Sequence, residues 1–193
     1  IGLCGPEATI YVYNEGEKDY IKTFAGLTKR DGQFIVSRTK IDNFKLEDLI
    51  GKEVLGGRPG GMPIINFYNA LKNENIKGVN TNDTVDFANL TSAFLSGTGD
   101  FVNLFEPNAT KLEKMNKGYV VASVGIYAGE VPYTAFNART SYIENNKELI
   151  NNFKDAINKG LEFAKNNDSK DIAKIIIDLF PDTPIEDLTP IIE

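Results

Sequence analysis

The chain has 193 residues, 41% hydrophobic and 25% charged, with 21 basic and 27 acidic side chains and a net charge of −6. That composition supports an apolar core in one domain or two small lobes, and its acidity argues against a nucleic-acid partner, which needs a basic face. With no histidine and one cysteine, Cys4, the chain can build no His-based metal site, no His-dependent triad or dyad, no internal disulfide and no cysteine zinc cluster.

Residues 1–4 are an apolar run that reads as a strand, stopped by Gly5-Pro6. Pro6 suits a first helical turn and Glu7 a helix N-terminus, which predicts a short helix to Tyr13, ending near Asn14-Glu15-Gly16. Cys4 reads as a small buried apolar residue. Runs 21–28 and 34–38 are apolar and β-prone, and Asp31-Gly32 between them is a hairpin signal. Residues 46–51 form a helical turn ended by glycine, and 52–55 a short strand.

The loop Gly56-Gly57-Arg58-Pro59-Gly60-Gly61-Met62-Pro63 is the most unusual in the chain. Pro63 fits the start of a helix in which Ile64, Ile65, Phe67, Tyr68 and Leu71 share helical spacing. Strand, glycine-rich loop and helix make the first half of a βαβ unit. Further strands are expected at 85–88, 100–105, 119–124 and 133–137, with helical segments at 90–95 and 108–115. The pattern then turns helical. Leu149, Ile150, Phe153, Ala156, Ile157, Leu161 and Ala164 mark one face of a long amphipathic helix, with Ser141, Asn145 and Asn146 as alternative caps. Ser169 opens a second helix that Pro181 stops, and Thr183-Pro184 opens a third. Strands alternating with helices imply an α/β fold. No run reaches the roughly 18 apolar residues of a membrane span. No signal peptide is visible, and the chain reads as cut at both ends.

Three segments carry binding chemistry. The glycines of loop 56–63 let backbone N–H groups approach a ligand, the following helix start adds partial positive charge, and Arg58 adds a two-pronged cation. That set suits a carboxylate, sulfonate or other oxyanion; a tight strand–helix connection explains the same glycines. The Gly-Lys-Ser/Thr end of a nucleotide loop and the G-x-G-x-x-G pattern are both absent. Gly5-Pro6-Glu7 is a second strand-to-helix junction, where Glu7 either faces a ligand or caps its own helix. Glu106 ends a strand where α/β sheets place ligands, or is a solvated loop carboxylate. Tyr11, Tyr13, Tyr127 and Tyr133 suit a pocket wall or a core. No carboxylate pair has a spacing that specifies acid–base catalysis, so no catalytic residue, metal ligand or cofactor is assigned.

Taken in order, several stretches resemble one family. They are Ile1-Gly2-Leu3-Cys4-Gly5-Pro6-Glu7-Ala8, Leu46-Glu47-Asp48-Leu49-Ile50-Gly51-Lys52-Glu53-Val54, Gly57-Arg58-Pro59-Gly60-Gly61-Met62-Pro63, Ala93-Phe94-Leu95-Ser96-Gly97 with Asp100, Glu106-Pro107, and the helices around Asn166-Asn167. The family is the ABC-importer solute-binding proteins for sulfonates, taurine, nitrate and thiamine-pyrimidine precursors. The resemblance implies a type II periplasmic-binding-protein fold, with two α/β lobes joined by two crossing strands and the ligand between them. It places residues 38–124 in lobe 2 and residues 1–37 and 125–193 in lobe 1, with Ser37, Arg38, Ser123 and Val124 near the hinge. It also implies a strand–helix–strand–helix section before Ile1 and helices after Glu193, so that lobe 1 is incomplete.

Carried over by position, the ligand-binding residues are Gly5, Pro6 and Glu7 on lobe 1, and Arg58, Pro59, Gly60, Gly61, Met62 and Glu106 on lobe 2. The implied protein is a bacterial extracytoplasmic receptor with a small-molecule ligand and an ABC permease as partners, and it is not an enzyme. It meets the membrane only through a lipid anchor outside this chain. Arg58 and the helix starts suit a sulfonate-like oxyanion; Glu7 and Glu106 suit a pyrimidine precursor with N–H donors. Two alternatives share the fold. Pyrimidine-synthesising enzymes of thiamine metabolism use an active-site histidine that this chain lacks, and a ligand-sensing receptor domain would sit beside a signalling module.

Overall fold

The computed structural model describes residues 1–193, whose eight strands form two sheets. In chain order the strands are β1 (Gly2–Cys4), β2 (Ile21–Thr28), β3 (Phe34–Ser37), β4 (Glu53–Leu55), β5 (Asn80–Asn82), β6 (Phe101–Leu104), β7 (Tyr119–Ser123) and β8 (Thr134–Arg139). The small sheet runs β1-β8-β2, antiparallel throughout. The large sheet runs β5-β4-β6-β3-β7, parallel where β4 meets β5 and β6, and antiparallel where β3 meets β6 and β7.

The large sheet holds the core because both its faces are covered. Ile35, Val54 and Phe101 point to one side, Val36, Leu55 and Val102 to the other, as alternation along a strand requires. Helices α2 (Met62–Asn73) and α5 (Val124–Ala128) cover the first face with Ile64, Phe67, Ala70, Leu71, Val124 and Ala128. Helices α3 (Leu90–Leu95) and α4 (Asn108–Lys114) cover the second with Leu90, Phe94, Ala109 and Leu112. Strands buried on both faces read as mostly apolar runs, which is why 34–37 and 101–104 stand out in the sequence despite Ser37 and Asn103. Ile65 and Tyr68, which share the helical spacing of α2, are exposed on its far side.

Two expected elements are corrected. Runs 21–28 and 34–38 do form strands, but in different sheets, so Asp31-Gly32 is a crossing and not a hairpin turn. The βαβ unit closes at Asn80–Asn82 and not at 85–88. β5 is an edge strand, held by its ladder to β4 and tolerant of polar side chains. Residues 85–88 instead lead into a 3₁₀ turn at Phe87–Asn89.

Of the remaining helices, α1 (Glu7–Asn14) packs on β2 and α6 (Thr140–Asn145) on β8; α7 (Lys147–Asn166) follows, and α8 (Ser169–Ile176) packs on α9 (Ile185–Ile192), whose Asp187 pairs with Lys114 of α4. Phe153 of α7 packs edge-on against Phe24 and Phe136 of the small sheet, with centroids 5.9 and 4.9 Å apart. Of the expected apolar face of α7, only Ile150 is buried, while Leu149 and Leu161 are 46% and 44% exposed. The reason is size: a 20-residue helix is about 30 Å long, and three strands span only about 10 Å.

Two segments pass between the sheets, residues 29–33 and 124–133. They touch at backbone level: a Cβ on buried Gly125 would collide with the Asp31 carbonyl oxygen and lie 3.2 Å from its carbon. Gly125→Ala is expected to lower stability by about 2 kcal/mol through this overpacking, read as a lower urea midpoint at unchanged slope.

Candidate ligand-binding site

The two strand-to-helix junctions face each other across the gap between the sheets. Pro6 and Glu7 start α1; Gly61, Met62 and Pro63 start α2. Glu7 does not cap its own helix. Its Oε1 accepts the Met62 N–H at 3.0 Å, placing a carboxylate on the positive start of α2. Gly5 makes room for this: a Cβ there would strike Glu7 Oε2 and come within 2.6 Å of Met62 Cγ. Beside it, the Tyr11 hydroxyl donates to the Gly60 carbonyl at 3.0 Å. Thus α1 is fastened to the glycine-rich loop at two points.

A cavity of about 610 Å³ opens at this junction. Cys4, Gly5, Glu7 and Ala8 line one side, and Gly57, Arg58, Gly61, Met62 and Pro63 the other. Asp86, Phe87, Phe105, Tyr133 and Thr134 complete it. Phe87, Phe105 and Tyr133 form an aromatic row, with successive centroids 5.5 and 6.3 Å apart. Glu7 Oε2 is buried in the wall with no hydrogen-bond partner. Arg58 is exposed and pairs with neither Glu7 nor Asp86. The cavity therefore presents a free cation and flat apolar walls, with an unpaired acceptor buried behind its surface.

Behind the aromatic wall lies Asp31, only 4% exposed, in the first crossing. Its Oδ1 accepts the Gln33 N–H at 2.7 Å. With its amide nitrogen facing these acceptors, Gln33 donates to Pro63 O at 3.1 Å and to Asp31 Oδ2 at 3.3 Å. Burial pushes the Asp31 carboxyl up to about 6, against the opposing pull of the Gln33 N–H, the Tyr133 hydroxyl and the Asn66 amide. Burial raises the Tyr133 hydroxyl in turn, with the Asp31 charge adding to it. Neither that hydroxyl nor Asn66 Nδ2 closes a hydrogen bond of normal geometry.

Of the residues singled out from sequence, Gly5, Glu7, Arg58, Gly61 and Met62 line the cavity. Pro6 sits at the start of α1, and Pro59 and Gly60 form the loop's turn, outside the lining. Glu106 lies outside this lining; its Oε2 accepts the Thr110 N–H and its Oε1 the Thr110 hydroxyl, both at 3.0 Å, so it holds the first turn of α4. Its neighbour Phe105 lines the cavity. Cys4 is also corrected: β1 is an edge strand, and the thiol is exposed at the cavity, accepting from Asn137 Nδ2 at 3.2 Å. Arg38 donates to the carbonyls of Phe94, Thr98 and Gly99, serving the C-terminal end of α3.

Sequence reasoning passed over Asp86, Phe87, Phe105, Thr134 and Asp31. Phe87 and Asp86 lay in a run read as strand, and Asp31 in a run read as turn. Tyr133 was open between wall and core, and it is both.

Two sheets, two crossings and a cleft framed by helix starts are the architecture of periplasmic binding proteins. The sequence model of the family described as NMT1/THI5 like matches residues 2–170. The chain belongs to this family. It is 44% identical over 186 residues to the Bacillus subtilis (strain 168) protein named "Putative binding protein YtlA", a match covering 95% of this chain and 56% of that one. The fold matches the periplasmic aliphatic sulphonate binding protein SsuA of Escherichia coli with a TM-score of 0.76 at 15% identity, over 98% of this chain and 64% of that chain. It also matches the ligand-binding component of an ABC-type import system from Staphylococcus aureus, with a TM-score of 0.69 at 18% identity, over 96% and 63%. The chain spans less than two thirds of the length of each of these proteins.

The Glu7–Met62 contact has a direct readout. A hydrogen bond to a charged group contributes about 1.5–3 kcal/mol, tenfold or more. Glu7→Ala should therefore speed exchange of the Met62 amide roughly tenfold, measured by NMR, and Tyr11→Phe should speed it less.

Proposed function

We propose that this protein is the extracytoplasmic solute-binding component of a bacterial ABC importer. Its kinship with a named binding protein and its two-sheet cleft support this reading. On that reading the sheets close about the crossings onto a small ligand, and the closed form docks on a permease. Attachment to the membrane is through a lipid anchor outside this chain, and no residue is assigned a catalytic role.

The observation that carries the ligand class is Glu7 Oε2, a buried acceptor with no donor. A buried carboxylate oxygen left unpaired is costly, and a ligand N–H satisfies it. The aromatic row then suits a flat ring, and Arg58 an acceptor at the far end. We read the ligand as an amino-substituted heterocycle of the pyrimidine-precursor kind. An oxyanion such as a sulfonate is favoured by the unpaired Arg58, but it would have to displace the carboxylate already on the start of α2.

A thermal-shift panel of aminopyrimidines, alkanesulfonates, nitrate and bicarbonate separates the two. Saturating ligand at a hundred times its Kd adds about 2.7 kcal/mol to stability. An aminopyrimidine is expected to raise Tm in the wild-type chain and to lose most of that shift in Glu7→Gln. If only sulfonates raise Tm, and Glu7→Gln enlarges their effect, the N–H donor reading is wrong.

A further inference from the structure

Asn137 is the one buried polar side chain in the strands of the small sheet, 3% exposed inside the central strand β8. A buried amide is costly unless its polar atoms find partners. Here they do. Oδ1 accepts the Thr23 hydroxyl of β2 at 2.6 Å. Nδ2 donates to the Ala135 carbonyl at 2.8 Å. Toward β1 the same nitrogen donates to the Cys4 sulfur at 3.2 Å and to the Cys4 carbonyl at 3.4 Å. Both carbonyl oxygens need a donor, so the amide can face only this way. Asn66 and Asn103 are also buried, but each leaves an amide atom unpaired; Asn137 leaves none.

A sheet does not need such a residue to hold together. The backbone ladders already pair β8 with β1 and β2. An apolar side chain of the same shape would fill the space at little net cost. What the amide adds is a fixed position for the end of β1. Cys4 is the last residue of β1 and lines the cavity.

Beyond Cys4 the chain has little freedom before it reaches Glu7. The Ala8 N–H donates to the Gly5 carbonyl at 3.2 Å. Thr9 donates to the Pro6 carbonyl twice, from its N–H at 3.0 Å and from its hydroxyl at 2.7 Å. Gly5 and Pro6 are thereby tied into the first turn of α1. Where the end of β1 is held, that turn and the Glu7 side chain are held too. The bond from the Met62 N–H to Glu7 Oε1 is 3.0 Å long, and such a bond is lost by about 3.6 Å. A shift of half an ångström at the end of β1 is enough to weaken it.

We infer that Asn137 is a positioning residue of the cleft: it fixes the end of β1 between its neighbours and so sets the Glu7 carboxylate on the start of α2. It serves the ligand site on the reading given above, but its test needs no ligand.

The Met62 amide reports the outcome. Its hydrogen exchange is followed by NMR in wild type, Asn137→Leu, Thr23→Val, Glu7→Ala and the double variant Asn137→Leu/Glu7→Ala, and the urea midpoint of each is measured alongside. Asn137→Leu keeps the branched shape and removes the amide. It is expected to speed Met62 exchange about fivefold, the worth of one ordinary hydrogen bond. Thr23→Val frees Oδ1 and leaves Nδ2 in place, so about a twofold rise is expected. Because Asn137 acts through Glu7, adding Asn137→Leu to Glu7→Ala should change Met62 exchange no further. A purely structural Asn137 would lower the urea midpoint and leave Met62 exchange as in wild type, since an amide at a cleft exchanges by local opening. Two results overturn the inference: wild-type Met62 exchange in Asn137→Leu, or the full fivefold effect persisting in the Glu7→Ala background. Should Asn137→Leu not fold, Thr23→Val decides, and wild-type exchange there overturns it. Failure of the ligand panel with this exchange pattern intact would count against the transport reading alone.

Discussion

The Asp31 carbonyl rests against the α-carbon of Gly125, so the two segments that pass between the sheets meet with no side chain separating them. This close approach sets the rest of the geometry. It brings Tyr133, which follows the second crossing, to the edge of the first. It also brings Gln33 within reach of Pro63, where α2 begins. The cavity wall and the helix start are thus both referred to one point. A larger residue at position 125 would move them apart together, because packed backbone has no rotamer by which to give way.

The electrostatics of the cleft follow from the same placement. A helix start is a site for negative charge. Here Glu7, reaching over from α1, occupies the start of α2 with one oxygen and leaves the other buried and free. Arg58 stands apart, exposed and unpaired. The protein has therefore used part of its anion-binding capacity to bind itself across the cleft. What remains for a ligand is an acceptor, a cation and a row of rings.

Much of the large sheet was legible because its strands are buried on both faces. Residues 34–37, 101–104 and 119–123 are apolar apart from Ser37, Asn103 and Ser123, and loop 56–63 has turn residues at every needed place. Asn80–Asn82 was hidden because an edge strand needs backbone pairing and not apolar side chains. The false hairpin at Asp31-Gly32 arose because local turn chemistry cannot say which sheet the next strand joins; the partners of β3 lie beyond residue 100. In the site, Glu7 and Arg58 were visible as chemistry at helix starts. What Glu7 touches lies 55 residues away, and no local rule carries that far. Glu106 was visible as an acidic residue after a strand, but its bonds to Thr110 in the following helix were not.

The central claim is that the starts of α1 and α2 form one site between the sheets. The most direct measurement is amide chemical-shift mapping of the ¹⁵N-labelled chain, titrated with the panel compound that most raises its Tm. The account predicts saturable shifts in residues 5–8 and 57–62 together, with the same apparent Kd. Shifts confined to one of these segments, or to the exposed stripe of α7, would contradict it.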